Sequence, residues 1–388
     1  MNGAKTTKKK WSAGEGRPNS VFEIPLIKPL ITDKVKQRVL DVLDSGYLTE
    51  GPVTRQFEEA IADYCGVSHC LAVTSCTTGL ELALRALDIG PGDEVIVPDY
   101  TYPATASVVN IVGATAVIVD IDPATMLINY GALESAITEK TKAAIPVSLF
   151  GNPLDWDRLN AIKMRHGLFI VEDSACSLGS SYEGAMTGSL ADIAVFSHHP
   201  RKFITTGEGG TIATNNEKFA DWMQSYKHFG MESSQSRAGT QFSRIGTNYK
   251  MSNLLAAIGL EQMGLIDELL TERREQADTY RKLLSGAPDI RLPEITQGGK
   301  HSWQTFCVFT ENRDTVMAAM RDKGIEAQIG TYSLHMHPAY AKNELVRIEG
   351  NMACSRYAYE HALALPLFHG MSERKQELVV KSLQEITS

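Results

Sequence analysis

The sequence predicts an α/β protein built on a mostly parallel seven-stranded sheet, with a smaller α+β segment at its C-terminal end. Three observations lead there. Seven short apolar runs recur between residues 21 and 215, helical patterns separate most of them, and the character of the chain changes after Met251. Strands alternating with helices build parallel sheets covered on both faces.

The strand candidates, in order, are Cys70–Ser75, Glu94–Pro98, Ala116–Asp120, Ala143–Leu149, Leu168–Glu172, Ile193–Phe196 and Gly210–Thr214. Between the first two, Thr78–Leu87 reads as a helix with Leu80, Leu82, Ala83, Leu84 and Leu87 on a broad apolar face. Ser252 to Leu284 reads as one long helical region. Gly286-Ala287-Pro288 breaks it, and a strand-like Ser302–Phe309 with three helical stretches follows. Three units are expected: a basic tail over residues 1–20, a large unit over 21–270 and a small one over 271–388.

Composition narrows the function classes. With 388 residues, 43% hydrophobic, the chain can bury a sizeable core. A net charge of -8 without a strongly basic segment argues against nucleic acid or an anionic membrane as partner. The single basic run, Lys8-Lys9-Lys10, sits in a Gly/Ser/Asn/Lys-rich tail expected to be a solvated, disordered arm. Neither an apolar signal core nor a span of about 20 apolar residues is visible. Six cysteines without CxxC spacing fit reduced thiols better than disulfides or a zinc site, so a cytoplasmic protein without a metal is expected.

In parallel sheets ligands sit beyond the carboxyl ends of the strands, and Asp173, Ser197, Thr77 and Tyr102 each follow a strand candidate. A carboxylate such as Asp173 can hold a pyridine nitrogen protonated, and an unprotonated lysine such as Lys202 can form a Schiff base with an aldehyde. Taken singly, Asp173 is more often a cap or a solvated carboxylate, and Lys202 a surface lysine. Lys202 lies between an apolar strand and a Thr-Thr-Gly-Glu-Gly-Gly turn, which brings its loop close to the core. Neighbouring Arg201 and partial burial are expected to lower its amine pKa. Thr77, Thr78 and Ser197 are candidates for a phosphate cradle, since a helix opening after a strand points N–H groups at an anion. Ordinary capping by a threonine is the competing reading. Tyr102 could stack on a planar ring. His198-His199 lacks a third ligand, so no metal is expected.

Together these motifs resemble the DegT/DnrJ/EryC1/StrS family of sugar aminotransferases, enzymes of the aspartate-aminotransferase-like fold type I that use pyridoxal 5'-phosphate. The landmarks are Gly46-Tyr47-Leu48-Thr49-Glu50-Gly51-Pro52, the stretch from Gly90 to Pro98, Phe150-Gly151-Asn152-Pro153, Val171-Glu172-Asp173, the stretch from Ser197 to Gly210, Asn248-Tyr249-Lys250-Met251 and Leu365-Pro366-Leu367. The resemblance runs from about Pro25 onward and implies roles by position. Lys202 would hold the cofactor and shuttle its proton, and Asp173 would bind the ring nitrogen. Ser197 and the backbone at Thr77-Thr78 would bind phosphate, and Tyr102 would stack on the ring. Asn248 would reach the neighbouring subunit's phosphate, which implies a homodimer with shared active sites. Tyr332 and His335 fall where the family contacts its sugar.

This chain departs from the family pattern at three places. Cys176 stands in the cofactor site where many members carry a Gln that contacts the ring oxygen, Cys76-Thr77 replaces Gly-Thr, and His198 replaces Phe. The implied reaction moves an amino group from L-glutamate to the keto carbon of a nucleotide-linked keto-deoxy sugar, with perosamine-type synthases similar in several motifs. A glutamine-dependent aminocyclitol aminotransferase is the alternative. A sugar 3-dehydratase of the same family typically has histidine at the lysine position, and a non-catalytic regulator would have favoured losing Lys202 or Asp173; both are retained here.

Overall fold

The computed structural model describes residues 22–232 and 237–387. The expected basic tail over residues 1–20 lies outside the described residues. The seven strands of the main sheet form as β1 (His69–Val73), β2 (Glu94–Pro98), β3 (Thr115–Val119), β4 (Thr141–Ala144), β5 (Phe169–Asp173), β6 (Ile193–Ser197) and β7 (Gly210–Thr214). An eighth, β8 (Val346–Glu349), joins from the C-terminal part of the chain. The order is β1-β7-β6-β5-β4-β2-β3-β8. Only β7 runs antiparallel to its neighbours.

Burial explains why these runs are nearly continuous in apolar residues. Val95, Ile96 and Val97, and likewise Val117, Ile118 and Val119, are fully buried although successive side chains point to opposite faces. Helices cover both faces, and two large apolar clusters fill the space, one around Leu80, Val97 and Val195 and one around Ile96, Val119 and Ile170.

The helix Cys76–Ala86 packs against β6 and β7 through a glycine. A Cβ on Gly79 would sit 2.6 Å from Val195 Cγ1, so only glycine lets this helix press so closely onto the strands. The helix begins earlier than the sequence suggests. Ser75 is its cap, in a reciprocal capping box with Thr78.

The expected single helix over 252–284 is two, Asn253–Met263 and Ile266–Leu283. The break at Gly264-Leu265 follows Gln262, a fully buried amide that donates to Leu30 O and accepts from Thr205 N. After the second helix, a four-stranded antiparallel sheet forms from Ile290–Arg291, Phe306–Thr310, Ala362–Leu365 and Gln328–Ile329, in that order. It packs on its own apolar cluster around Tyr280, Phe306 and Val379. No helix among the described residues is long and apolar enough to cross a membrane. All six cysteines are free thiols.

Candidate active site

Strand register assembles the site. Val73 pairs with Gly210, and Gly210 pairs with Ser197, so the ends of β1 and β6 lie level across the start of β7. On the other side of β6, Asp173 pairs with Val195. Asp173, Ser197 and the N-terminus of the helix Cys76–Ala86 therefore share one sheet edge. Gly210 keeps that edge open, because a Cβ there would meet Cys76 N at 2.6 Å.

Asp173 is 4% exposed. Its Oδ2 accepts from Thr105 Oγ1 at 2.8 Å and its Oδ1 from Ala175 N at 3.2 Å. Burial pushes its pKa up, and the two hydrogen bonds and Lys202 offset part of that. A buried carboxylate still short of cationic stabilisation is a suitable partner for a protonated ring nitrogen.

Lys202 lies in the loop joining β6 to β7, partly exposed, with Nζ 3.0 Å from Cys176 Sγ. Burial pulls its pKa down, but the sulfurs of Cys176 and Cys76 and the Asp173 carboxylate outweigh burial and leave it raised. The expected lowering by Arg201 is thus not found. Arg201 is exposed and is not among the main influences on the amine, whereas the Cys176 sulfur lies against it and the Cys76 and Asp173 groups act on it through charge. Cys176 therefore sits against the lysine in this structure.

The threonines divide. Thr78 spends its hydroxyl within the capping box, accepting from Ser75 N at 3.1 Å and donating to Ser75 O at 2.9 Å. Thr78 N donates to Ser75 Oγ at 3.1 Å, so the N–H groups the first turn can offer an anion are those of Cys76 and Thr77. The Ser197 hydroxyl makes only a long 3.4 Å contact with His199 N. His198 is buried edge-on to Phe57 and bonded to Thr211 Oγ1 at 3.0 Å, and burial lowers its pKa to about 4.

A second group lies beside this edge. Tyr332–Ser333 pairs with Tyr100–Thr101, which brings Tyr332 to 6.2 Å (ring centroids) from the 65% exposed Tyr102. Thr101 Oγ1 lies 2.9 Å from Thr105 Oγ1, the donor to Asp173, so one hydrogen-bonded path joins the two groups. His335 Nδ1 lies 2.7 Å from the fully buried Asp99, which also accepts from His335 N, Ser333 Oγ and Ser355 Oγ. Its Nε2 is 3.3 Å from Arg356 Nη2. Because a guanidinium only donates, Nε2 accepts and Nδ1 carries the hydrogen that Asp99 receives. Asn248 stands apart from Asp173 and Lys202 in its contacts: its Oδ1 accepts from Lys250 Nζ at 2.7 Å.

Sequence reasoning missed Thr105 and Asp99. Asp99 follows a strand as Asp173 ends one, a signal that was available. Thr105 had none, since its role depends on contact with a residue 68 positions away.

A buried carboxylate, a lysine facing it from the next loop and a helix N-terminus at the same edge define a fold-type-I coenzyme enzyme. Residues 29–384 match the DegT/DnrJ/EryC1/StrS aminotransferase family, and the chain belongs to it. It is an aminotransferase that depends on pyridoxal phosphate. It is 36% identical over 370 residues to GDP-perosamine synthase of Caulobacter vibrioides, covering 94% of this chain and 98% of that one. Spore coat polysaccharide biosynthesis protein SpsC of Bacillus subtilis is 34% identical, with 94% and 97% covered. Among solved structures, the apo form of Spr1654 from Streptococcus pneumoniae superposes with a TM-score of 0.89 at 31% identity, covering 94% and 98%. That protein has also been solved in its PLP and PMP forms.

Proposed function

We propose that this enzyme transfers an amino group from L-glutamate to the keto carbon of a nucleotide-linked keto-deoxy sugar, giving an amino sugar for polysaccharide or secondary-metabolite synthesis. The observation that carries this reading is the shared edge on which Asp173, Lys202 and the helix N-terminus converge. Similarity to GDP-perosamine synthase favours a 6-deoxy-4-keto hexose as acceptor.

When bound, pyridoxal phosphate supplies an electron sink for the carbanion formed at the amino-bearing carbon. Asp173 would hold the ring nitrogen and favour its protonated form, and Thr105 keeps the carboxylate aimed. Lys202 Nζ would serve as the base that takes the proton from the donor's α-carbon and as the acid that returns one when the sugar is aminated. Ser197 and the backbone N–H at Thr77 would hold the phosphate, with the stretch to Thr78 contributing only if its N–H leaves Ser75 Oγ, and Asn248 would contribute across the interface of a homodimer. Tyr102 packs on the ring, while Tyr332 and His335 receive the sugar. The sheet-bearing part up to about residue 270 acts as the coenzyme unit, and the remainder as the small unit. A cytoplasmic location fits a substrate made from nucleotide sugars.

The test is incubation of the holoenzyme with L-glutamate and a panel of nucleotide keto-sugars, read by mass spectrometry. Conversion of one ketone to its amine is expected. A protein that converts glutamate to 2-oxoglutarate yet aminates no nucleotide keto-sugar would reject the acceptor class.

A further inference from the structure

The Lys202 loop is pinned by a few backbone bonds, among them Lys202 N to His199 O at 2.8 Å, and by a side chain from a distant segment. Gln304, 6% exposed, donates from Nε2 to Arg201 O at 2.7 Å and accepts at Oε1 from Phe203 N at 3.2 Å. These two groups belong to the two peptide planes on either side of the Lys202 Cα. Fixing both planes fixes the direction of the Cα–Cβ bond between them, because each peptide is rigid and only the dihedrals at Cα can turn. The amide orientation is unambiguous, since a carbonyl can only accept and an N–H only donate.

Gln304 is itself held. Arg273, 3% exposed, donates to Trp303 O at 2.9 Å and Gln304 O at 3.3 Å, and its guanidinium lies 5.1 Å from the centre of the Phe203 ring. Ser302 N donates to Gly151 O at 3.1 Å, and Ser302 Oγ donates to Cys176 O at 3.2 Å. The segment 302–304 thus grips Lys202 and Cys176, whose side chains meet at 3.0 Å.

We propose that Gln304 is a positioning residue for catalysis: its amide sets the aim of Lys202 Nζ. This rests on Lys202 being the coenzyme lysine. A side chain that must form a bond and then move a proton between two carbons needs its nitrogen within a few tenths of an ångström of the productive position. Loss of the clamp should therefore slow steps at Nζ and leave substrate binding largely unchanged.

The test compares Gln304→Met, which keeps volume but makes neither bond, with Gln304→Glu, which keeps the acceptor for Phe203 N and loses the donor to Arg201 O. Gln262→Met is the control, because Gln262 ties the same loop at Thr205 N, beyond Lys202. The readouts are the rate at which apo-protein mixed with pyridoxal phosphate acquires borohydride-fixable label on Lys202, and the split between kcat and the KM for glutamate. Q304M should slow labelling and kcat at least tenfold with KM within about threefold. Q304E should fall between it and the wild type, and it carries the test if Q304M does not fold. Labelling at wild-type rate in both variants, or equal slowing by Q262M, overturns the proposal. Absence of label on Lys202 in the wild type would instead reject the assignment of the lysine.

Discussion

Asp173→Asn separates what the site costs in stability from what it gives in chemistry. The carboxylate is 4% exposed and burial raises its pKa. An acid whose folded pKa lies above its unfolded value binds more protons folded than unfolded. Its contribution to stability is thus present below 3.8 and is lost as pH rises through the folded value. At pH 7 the apo-protein carries that cost, and an isosteric amide removes it. Asn can accept from Ala175 N as Asp173 does, and the Thr105 hydroxyl can turn to accept from the new NH2. Apo-D173N should therefore melt at or above the wild-type temperature. With coenzyme bound as proposed the sign should reverse, because the ring nitrogen would lose its anion. Breaking one side of a buried charge pair costs about 3–5 kcal/mol, or roughly 10²- to 10³-fold and more in kcat/KM. The assays are thermal melts of apo-protein at pH 7 and single-turnover conversion of L-glutamate. Turnover within threefold of wild type, or an apo-protein destabilised by more than about 2 kcal/mol, would refute the reasoning.

Two further perturbations probe buried titratable groups. His198 is neutral when buried, with its pKa lowered to about 4, so its contribution is present above 6.5 and is lost as pH falls toward 4. Relative to wild type, His198→Phe should gain about 2–3 kcal/mol between pH 7 and pH 4.5, measured by urea unfolding; a difference independent of pH would contradict this. Lys227, its side chain fully buried, bonds Glu50 Oε1 at 2.7 Å, Glu58 Oε1 at 3.2 Å and Ala72 O at 3.0 Å. Lys227→Met should cost roughly 3–5 kcal/mol by stranding two carboxylates, and an additional Glu58→Gln should recover part of it in the same unfolding assay.

The main sheet was legible because its strands are buried on both faces and so read as unbroken apolar runs. β8 was not: Val346–Glu349 lies at the sheet's edge, only half covered, with Arg347 and Glu349 interrupting the pattern. The helix break at residue 264 was hidden for a related reason. A lone glycine in a helical pattern is tolerated, and the buried bonds of Gln262 to Leu30 and Thr205 are invisible in local sequence. The positions of Asp173 and Ser197 at strand ends and of Lys202 in the loop after one were readable from the sequence. The capping role of Thr78 was readable as the competing assignment. Thr105, Asp99 and Gln304 act through partners 68 to 256 residues distant, a separation that no periodicity records.

The most direct measurement is chemical. Holoenzyme reduced with borohydride, digested and mapped by mass spectrometry should carry a single pyridoxyl group on the peptide containing Lys202, and prior addition of L-glutamate should abolish that label. A label on any other lysine, or none on protein saturated with pyridoxal phosphate, would contradict the account.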